Sequence, residues 1–211
     1  MSGYFISLEG GEGAGKSTAL SYVEDWLSTQ GIEYILTREP GGTPLAEEIR
    51  SLVLAPREEQ VDVHAELLLV FAARLQHVRQ KILPALAEGK WVISDRFVDS
   101  SYIYQGIGRN IDAEIIDQLV EVFLQGAMPD ATILLDVPVE IGLSRVASRG
   151  DMNRLDGESV AFHEKVRNGF LELANKDPER VQVVDASQAL GDVKASIQNV
   201  LNRLYEKKAK S

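Results

Sequence analysis

Gly10-Gly11-Glu12-Gly13-Ala14-Gly15-Lys16-Ser17, followed by Thr18, is the stretch that decides the fold. It has the form G-x-x-x-x-G-K-[ST], with an apolar run, Tyr4–Glu9, before it and a helix-forming run, about Lys16–Thr29, after it. Its glycines let the chain wrap so that successive backbone N–H groups point inward, a nest for phosphate oxygens. The helix behind the loop adds the positive end of its dipole. Lys16 is placed to bridge β- and γ-phosphates, and the Ser17 hydroxyl to hold Mg²⁺. The loop therefore binds a nucleoside triphosphate.

Outward from this loop, short apolar runs alternate with helical segments. Tyr4–Glu9, Tyr34–Thr37, Trp91–Asp95, Ala131–Val137 and Val181–Asp185 read as strands, apolar on consecutive residues as strands buried on both faces should be. The helices are expected at about Lys16–Thr29, Pro44–Leu54, Val63–Glu88, Ala113–Leu124, Val139–Ser148, Glu158–Lys176 and Leu190–Lys208. Strands separated by helices imply right-handed crossovers and a mostly parallel sheet. There is no internal repeat and no low-complexity linker, so residues 1–211 are expected to form one α/β domain.

Composition bounds the function. Lys+Arg 22 against Asp+Glu 32 gives a net charge of −10, which argues against a protein that coats nucleic acid but allows a local basic pocket. With no cysteine, a disulfide framework, a thiolate zinc site and a Cys nucleophile are excluded. The N-terminus lacks a basic region and a long apolar run, and no stretch approaches the ~18 apolar residues of a membrane span. A cytoplasmic protein with no membrane partner is expected.

The later motifs separate the kinds of nucleotide protein. No N-K-x-D segment follows a late strand; Asn175-Lys176-Asp177-Pro178 follows a helix and has the wrong spacing for guanine recognition. The third strand ends instead in Asp95-Arg96. An Asp at that carboxyl end can take Mg²⁺, and an Arg beside it brings charge into the crevice where open α/β sheets bind ligands. A basic residue next to a metal carboxylate suits a second phosphate group, so transfer between two nucleotides is favoured over hydrolysis. The second strand runs into Thr37-Arg38-Glu39-Pro40-Gly41-Gly42-Thr43-Pro44. There Arg38 can fork onto an acceptor phosphate, or it can simply pair with Glu39 or Glu47 at the surface.

Together, the loop with Glu9 before it, Thr37-Arg38-Glu39-Pro40-Gly41-Gly42-Thr43, Asp95-Arg96-Phe97 and Ser100-Ser101-x-x-Tyr104-Gln105-Gly106 resemble the bacterial thymidylate kinase (dTMP kinase) family, and the resemblance covers essentially the whole chain. It implies a P-loop nucleoside monophosphate kinase fold, a five-stranded parallel sheet in the order 2-3-1-4-5 with a mobile lid at about residues 149–156. It implies ATP and dTMP as substrates, Mg²⁺ as cofactor and a homodimer formed through the long helix 63–88. ATP is expected on Gly10, Gly11, Glu12, Gly13, Ala14, Gly15, Lys16, Ser17, Thr18 and Arg149, and the metal on Ser17 and Asp95.

The acceptor is expected on Glu12, Arg38, Glu39, Pro40, Phe71, Arg74, Arg96, Ser100, Ser101, Tyr104 and Gln105. Phe71 and Arg74 lie three apart and share a helix face. The resemblance has the aromatic stack on thymine and the arginine bond a base oxygen, whereas the apolar surroundings of Phe71 read by themselves as core. Ser101 and Gln105 match residues on the pyrimidine edge, and Tyr104 one that crowds the sugar 2′ position, which would favour deoxyribose. Glu12 is oddly acidic for an anion nest unless its carboxylate points outward, towards the acceptor sugar hydroxyl or a cation; the resemblance implies contact near the acceptor 3′-hydroxyl.

The implied catalytic set is Lys16, Asp95, Arg96, Arg149 and Arg154. One variety of the family carries an arginine directly after the acidic loop residue; here that place is Gly13, so the chain resembles the variety whose lid supplies the cation. Of Arg149 and Arg154, one is expected on adenine and the other on the transferring phosphoryl group. His64, His77 and His163 show neither metal-ligand spacing nor a paired acid, and read as ordinary helix residues. A kinase for another nucleoside monophosphate or a deoxynucleoside, and a slow P-loop nucleotide switch, stay open as alternatives.

Overall fold

The computed structural model describes residues 3–150 and 153–209, except for the side chains of Arg149 and Ala209. Among them β1 (Tyr4–Glu9), β2 (Tyr34–Arg38), β3 (Trp91–Asp95), β4 (Ala131–Asp136) and β5 (Val181–Asp185) form one parallel sheet in the order β2-β3-β1-β4-β5. The order reverses between β1 and its neighbours, so the crevice at the carboxyl ends opens directly over the phosphate loop.

The continuous apolar runs are explained by two covered faces. Ile6 and Leu8 of β1, with Trp91 and Ile93 of β3, pack on Val23, Trp26 and Leu27 of α1 (Lys16–Thr29) and on Ile197 and Leu201 of α9 (Leu190–Ala209). Phe5 and Val92, one residue out of phase, face the opposite layer with Leu67, Phe71, Val78 and Ile82. Fully burying one such Leu or Ile contributes roughly 1.5–3 kcal/mol.

The expected long helix is α3 (Val63–His77), a π-helical stretch Val78–Ile82 and α4 (Leu83–Ala87) in one run. Pro84 lacks the N–H that would bond back four residues, and the wider turn before it accommodates that loss. One element lies outside the sequence reading: α5 (Val98–Ser101), which continues as a π-helical segment Tyr102–Gly108. The remaining helices are α2 (Pro44–Leu54), α6 (Ala113–Phe123), α7 (Val139–Arg149) and α8 (Val160–Lys176).

Four of the helices are capped by side chains, and α1, like α4, α5 and α7, is not. Thr43, Asp62, Asp112 and Ser159 each cap the helix that follows through a side-chain oxygen. Helix α1 instead begins at Gly15, in a left-handed conformation (φ 89°), with no side-chain cap. Its first N–H groups stay available to an anion.

Candidate active site

The phosphate loop is shaped by close backbone approaches. A Cβ at Gly13 (φ 69°) would lie 2.0 Å from the carbonyl oxygen of Gly142, and one at Gly142 would lie 2.4 Å from that of Glu12. The loop thus rests directly on the first turns of α7, and no side chain, arginine included, fits at position 13. Further along α7, Arg145 donates to the carbonyls of Gly13 (3.3 Å) and Ala186 (3.2 Å). Lys16 folds back over the loop, its Nζ donating to Gly10 O (3.2 Å) and Gly11 O (3.1 Å). Burial and the nearby Arg96 charge lower its pKa, partly offset by Glu12, Asp95 and Glu9.

A cavity of about 640 Å³ opens over the loop, and Lys16, Ser17, Thr18, Arg38, Arg50, Asp95, Arg96 and Arg145 all reach it. Among the described residues no group of three or more His, Cys, Asp or Glu could hold a metal alone. The buried Oδ1 of Asp95 has no hydrogen-bond partner, and it shares this cavity with Ser17. That pair fits a Mg²⁺ ion completed by phosphate oxygens.

Two glutamates bracket the loop with opposite electrostatics. Burial would raise the Glu12 pKa, but the charges of Arg96 and Lys16 and the Tyr104 hydroxyl outweigh it and hold the pKa at about 2. Its Oε1 accepts from Arg96 (2.7 Å) and Tyr104 (2.9 Å), so the carboxylate turns away from the anion nest towards the acceptor side. Glu9 is pushed up to about 7 by burial and by the Asp99 charge, against Arg96, Ser100 and the Phe97 N–H. It accepts from Phe97 N (2.7 Å) and Ser100 Oγ (2.6 Å), at the start of α5.

Next to the loop lies a small pocket of about 50 Å³, whose walls include Pro40, Val70, Arg74, Ser101, Tyr104 and Gln105. A buried relay stands behind it. Thr37 Oγ1 meets His77 Nε2 at 2.6 Å, His77 Nδ1 meets Glu39 Oε1 at 2.9 Å, and Arg74 Nε donates to Glu39 Oε2 at 2.6 Å. Arg74 then donates to Ser101 Oγ (2.8 Å) and Phe97 O (3.1 Å). Arg74, Glu39 and His77 are all at most 2% exposed.

The structure brings most of the expected acceptor residues to one place. Ser100, Ser101, Tyr104 and Gln105 line the pocket from one helical segment, and Arg96 lines both this pocket and the larger cavity. Phe71 does not line it. The ring packs in the core, 4.9 Å from the Arg74 guanidinium carbon, and Val70 takes the place on the pocket wall. Glu39 also lines the pocket, with both oxygens engaged by Arg74 and His77. Arg38 pairs with Glu47 at 2.8 Å while still bordering the phosphate cavity. The side chain of Arg149 lies outside the described residues. Arg154 is not among the residues that line the phosphate cavity; it pairs with Glu66 at 2.6 Å.

Other residues were missed or misread. His77 is no ordinary helix residue: Glu39 is its paired acid, brought from a separate loop. His163 is 5% exposed with an unpartnered Nε2, and only His64 sits at the surface. Arg50, Arg145, Glu66 and the inward Glu9 were not singled out as site residues. The signal for Glu66 and His77 was available, since Glu66, Arg74 and His77 recur at helical spacing along an apolar helix.

Comparison with known proteins agrees with this geometry. The thymidylate kinase family model matches residues 8–197. A thymidylate kinase of Marinomonas sp. (strain MWYL1) is 60% identical over 206 residues, covering 98% of this chain and 97% of the relative. One from Pseudomonas savastanoi pv. phaseolicola is 52% identical over 98% of both chains. One from Teredinibacter turnerae is 50% identical over 95% of this chain and 98% of the relative. The chain belongs to the thymidylate kinase family. It is accordingly a phosphotransferase, on a fold whose 2-3-1-4-5 sheet is that of the P-loop nucleoside monophosphate kinases. Among the described residues no helix is long and apolar enough to cross a membrane.

Proposed function

We propose that the chain transfers the terminal phosphoryl group of ATP to dTMP in a single domain, working in the cytoplasm. The observation that carries this reading is the position of Arg96, which lines both the cavity over the phosphate loop and the pocket backed by Arg74. A guanidinium between two phosphate sites suits transfer between nucleotides, because it can pair with both anions as the group passes.

The donor triphosphate lies in the loop, with Lys16 across its outer phosphates. Its base lies beyond Arg145, where a further cavity of about 180 Å³ runs between α1 and the loop after β5. The dTMP phosphate faces Arg96 and the cations Arg38 and Arg50, and its base enters the pocket of Arg74, Ser101 and Gln105. One dTMP phosphate oxygen attacks the γ-phosphorus while the bond to the β–γ bridging oxygen breaks, leaving ADP and dTDP. No general base is needed, since that oxygen is already anionic at neutral pH. Ser17 and Asp95 would hold Mg²⁺, which when bound would supply neutralisation of the phosphate charge. Arg149 supplies the lid cation that Gly13 cannot.

The chain acts as a homodimer. Leu68 (59% exposed) and Leu83 on the long helix, with Val122 and Phe123 on α6, leave apolar surface for a second copy.

A coupled ADP-release assay with a panel of acceptors tests the reading. dTMP should support turnover at least ~10²-fold better than purine nucleoside monophosphates or thymidine, since a pocket built on specific hydrogen bonds rejects acceptors that leave its groups unpaired. Equal rates across the panel, or release independent of any acceptor, would refute it.

A further inference from the structure

The turn that begins at Asn153 is locked into itself. Asn153 Oδ1 accepts from Leu155 N (2.8 Å) and Asp156 N (3.2 Å), and Asp156 Oδ2 accepts from Asn153 N (2.9 Å). The locked turn is fastened to the acceptor half of the molecule. Arg154 N donates to Leu54 O (3.1 Å), its Nε to Val53 O (3.0 Å), and its Nη2 to Glu66 Oε2 (2.6 Å). Leu155, the next residue, lines the same pocket as Val53, Leu54 and Gln105.

Glu66 is built for this task. It is 2% exposed, and it gathers donors from separate elements: Gln105 Nε2 at 2.8 Å on its other oxygen, Arg109 at 3.4 Å, and Arg154. A buried carboxylate with several charged or amide donors is strongly directional, and it fixes whatever it holds. The guanidinium of Arg154 is therefore occupied at Nε by Val53 O and at Nη2 by Glu66. Of the turn's residues, Asn153 reaches the phosphate cavity and Leu155 the acceptor pocket.

We propose that Arg154, clamped by Glu66, is a positioning residue for the acceptor: it fixes Leu155 as one wall of the dTMP pocket and does not serve the transferring phosphoryl group. The inference rests on the reading that the Arg74–Gln105 pocket receives dTMP.

The test compares Arg154→Ala, Glu66→Gln, their double variant and Arg154→Lys with Arg74→Ala as reference, using steady-state kinetics with each substrate varied and dTMP titration calorimetry without ATP. Losing one charge-assisted contact should raise the KM for dTMP ~10-fold in each single variant. The kcat and the KM for ATP should stay within about twofold, a split that general loosening of the fold would not give. The double variant should be no worse than the worse single one, because both remove the same contact. Arg154→Lys keeps a charge for Glu66 and should recover part of the loss. A kcat that falls ~10²-fold in Arg154→Ala with an unchanged KM for dTMP would overturn the proposal and return the residue to the phosphoryl group. If Arg74→Ala raises the KM for dTMP but neither clamp variant does, the clamp is refuted and the acceptor reading stands. If Arg74→Ala has no effect either, the acceptor reading falls and takes the clamp with it. Should Glu66→Gln fail to fold, Arg154→Ala carries the test alone, since its loss leaves Glu66 bonded to Gln105 and Arg109.

Discussion

The halves of the site proposed for donor and acceptor are made of different material. On the donor side the chain uses backbone: a glycine loop seated on Gly142, an uncapped helix start at Gly15, and a lysine lying over the loop's own carbonyls. On the acceptor side it uses side chains buried behind a small pocket, running from Thr37 through His77 and Glu39 to Arg74 and Ser101. Backbone recognition is local in sequence and suits a ligand that is mostly phosphate. Side-chain recognition draws on distant elements, and can distinguish one base from another because each donor is held by a second group.

The comparison breaks most readily at Lys16. It is the side-chain cation lying over the loop, and its loss removes charge from the transferring group without opening the core. Lys16→Ala should lower kcat by ~10³-fold or more while thermal unfolding stays close to wild type, at the upper end for one preorganised charged donor. Near-normal turnover would mean that the loop is not the donor site.

A smaller but more selective effect is expected at Glu39. Glu39→Gln leaves Arg74, 2% exposed, without its counter-charge. Removing one partner of a buried ion pair costs about 3 kcal/mol or more, which urea unfolding would measure. The KM for dTMP should rise at least ~10-fold with the KM for ATP little changed, since the perturbed group lies only on the acceptor side. If both rise together, the two halves are not separable.

The same contrast explains what could be read from the chain. The sheet was legible because β1, β3 and β4 are buried on both faces, and consecutive apolar residues mark that directly. The donor loop was legible because its function resides in glycine spacing. The segment 98–108 was not, because Val98-Asp99-Ser100-Ser101-Tyr102 carries no helical apolar period. Its polar residues are satisfied from elsewhere: Ser100 by Glu9, Ser101 by Arg74, and Asp99 by Thr132 and Arg180. Periodicity allows either Val70 or Phe71 beside Arg74; in the fold Phe71 packs in the core and Val70 lines the small pocket with Arg74. Arg154 carries a charge that sequence alone could assign to either substrate; its partners Val53, Leu54 and Glu66, the last 88 residues away in the chain, are invisible in the sequence.

The smallest effect sharpens the comparison at the loop itself, where Glu9 and Glu12 stand three residues apart and titrate in opposite directions. The folded-state pKa of Glu9, raised from the ordinary 4.5 to about 7, means that the native protein binds this proton more tightly than the unfolded chain does. Stability therefore falls as pH rises between those values, by on the order of 3 kcal/mol if no other group intervenes. Glu12, lowered from 4.5 to about 2, does the reverse: its contribution is complete above 4.5 and is lost as pH falls towards 2. Urea unfolding across pH 3 to 8 should then show two separable limbs. Glu9→Gln should flatten the decline between about pH 4.5 and 7 and leave the acid limb in place, whereas Glu12→Gln should flatten the acid limb alone. The ionised Glu9 is costly because it is buried and because Asp99 adds a second negative charge, and it is retained because its two oxygens hold Phe97 N–H and Ser100 at the start of the segment that lines the small pocket. An unchanged slope above pH 5 in Glu9→Gln would show that this carboxyl is already ionised well below neutrality, and that the acceptor segment is held at no electrostatic cost to the fold.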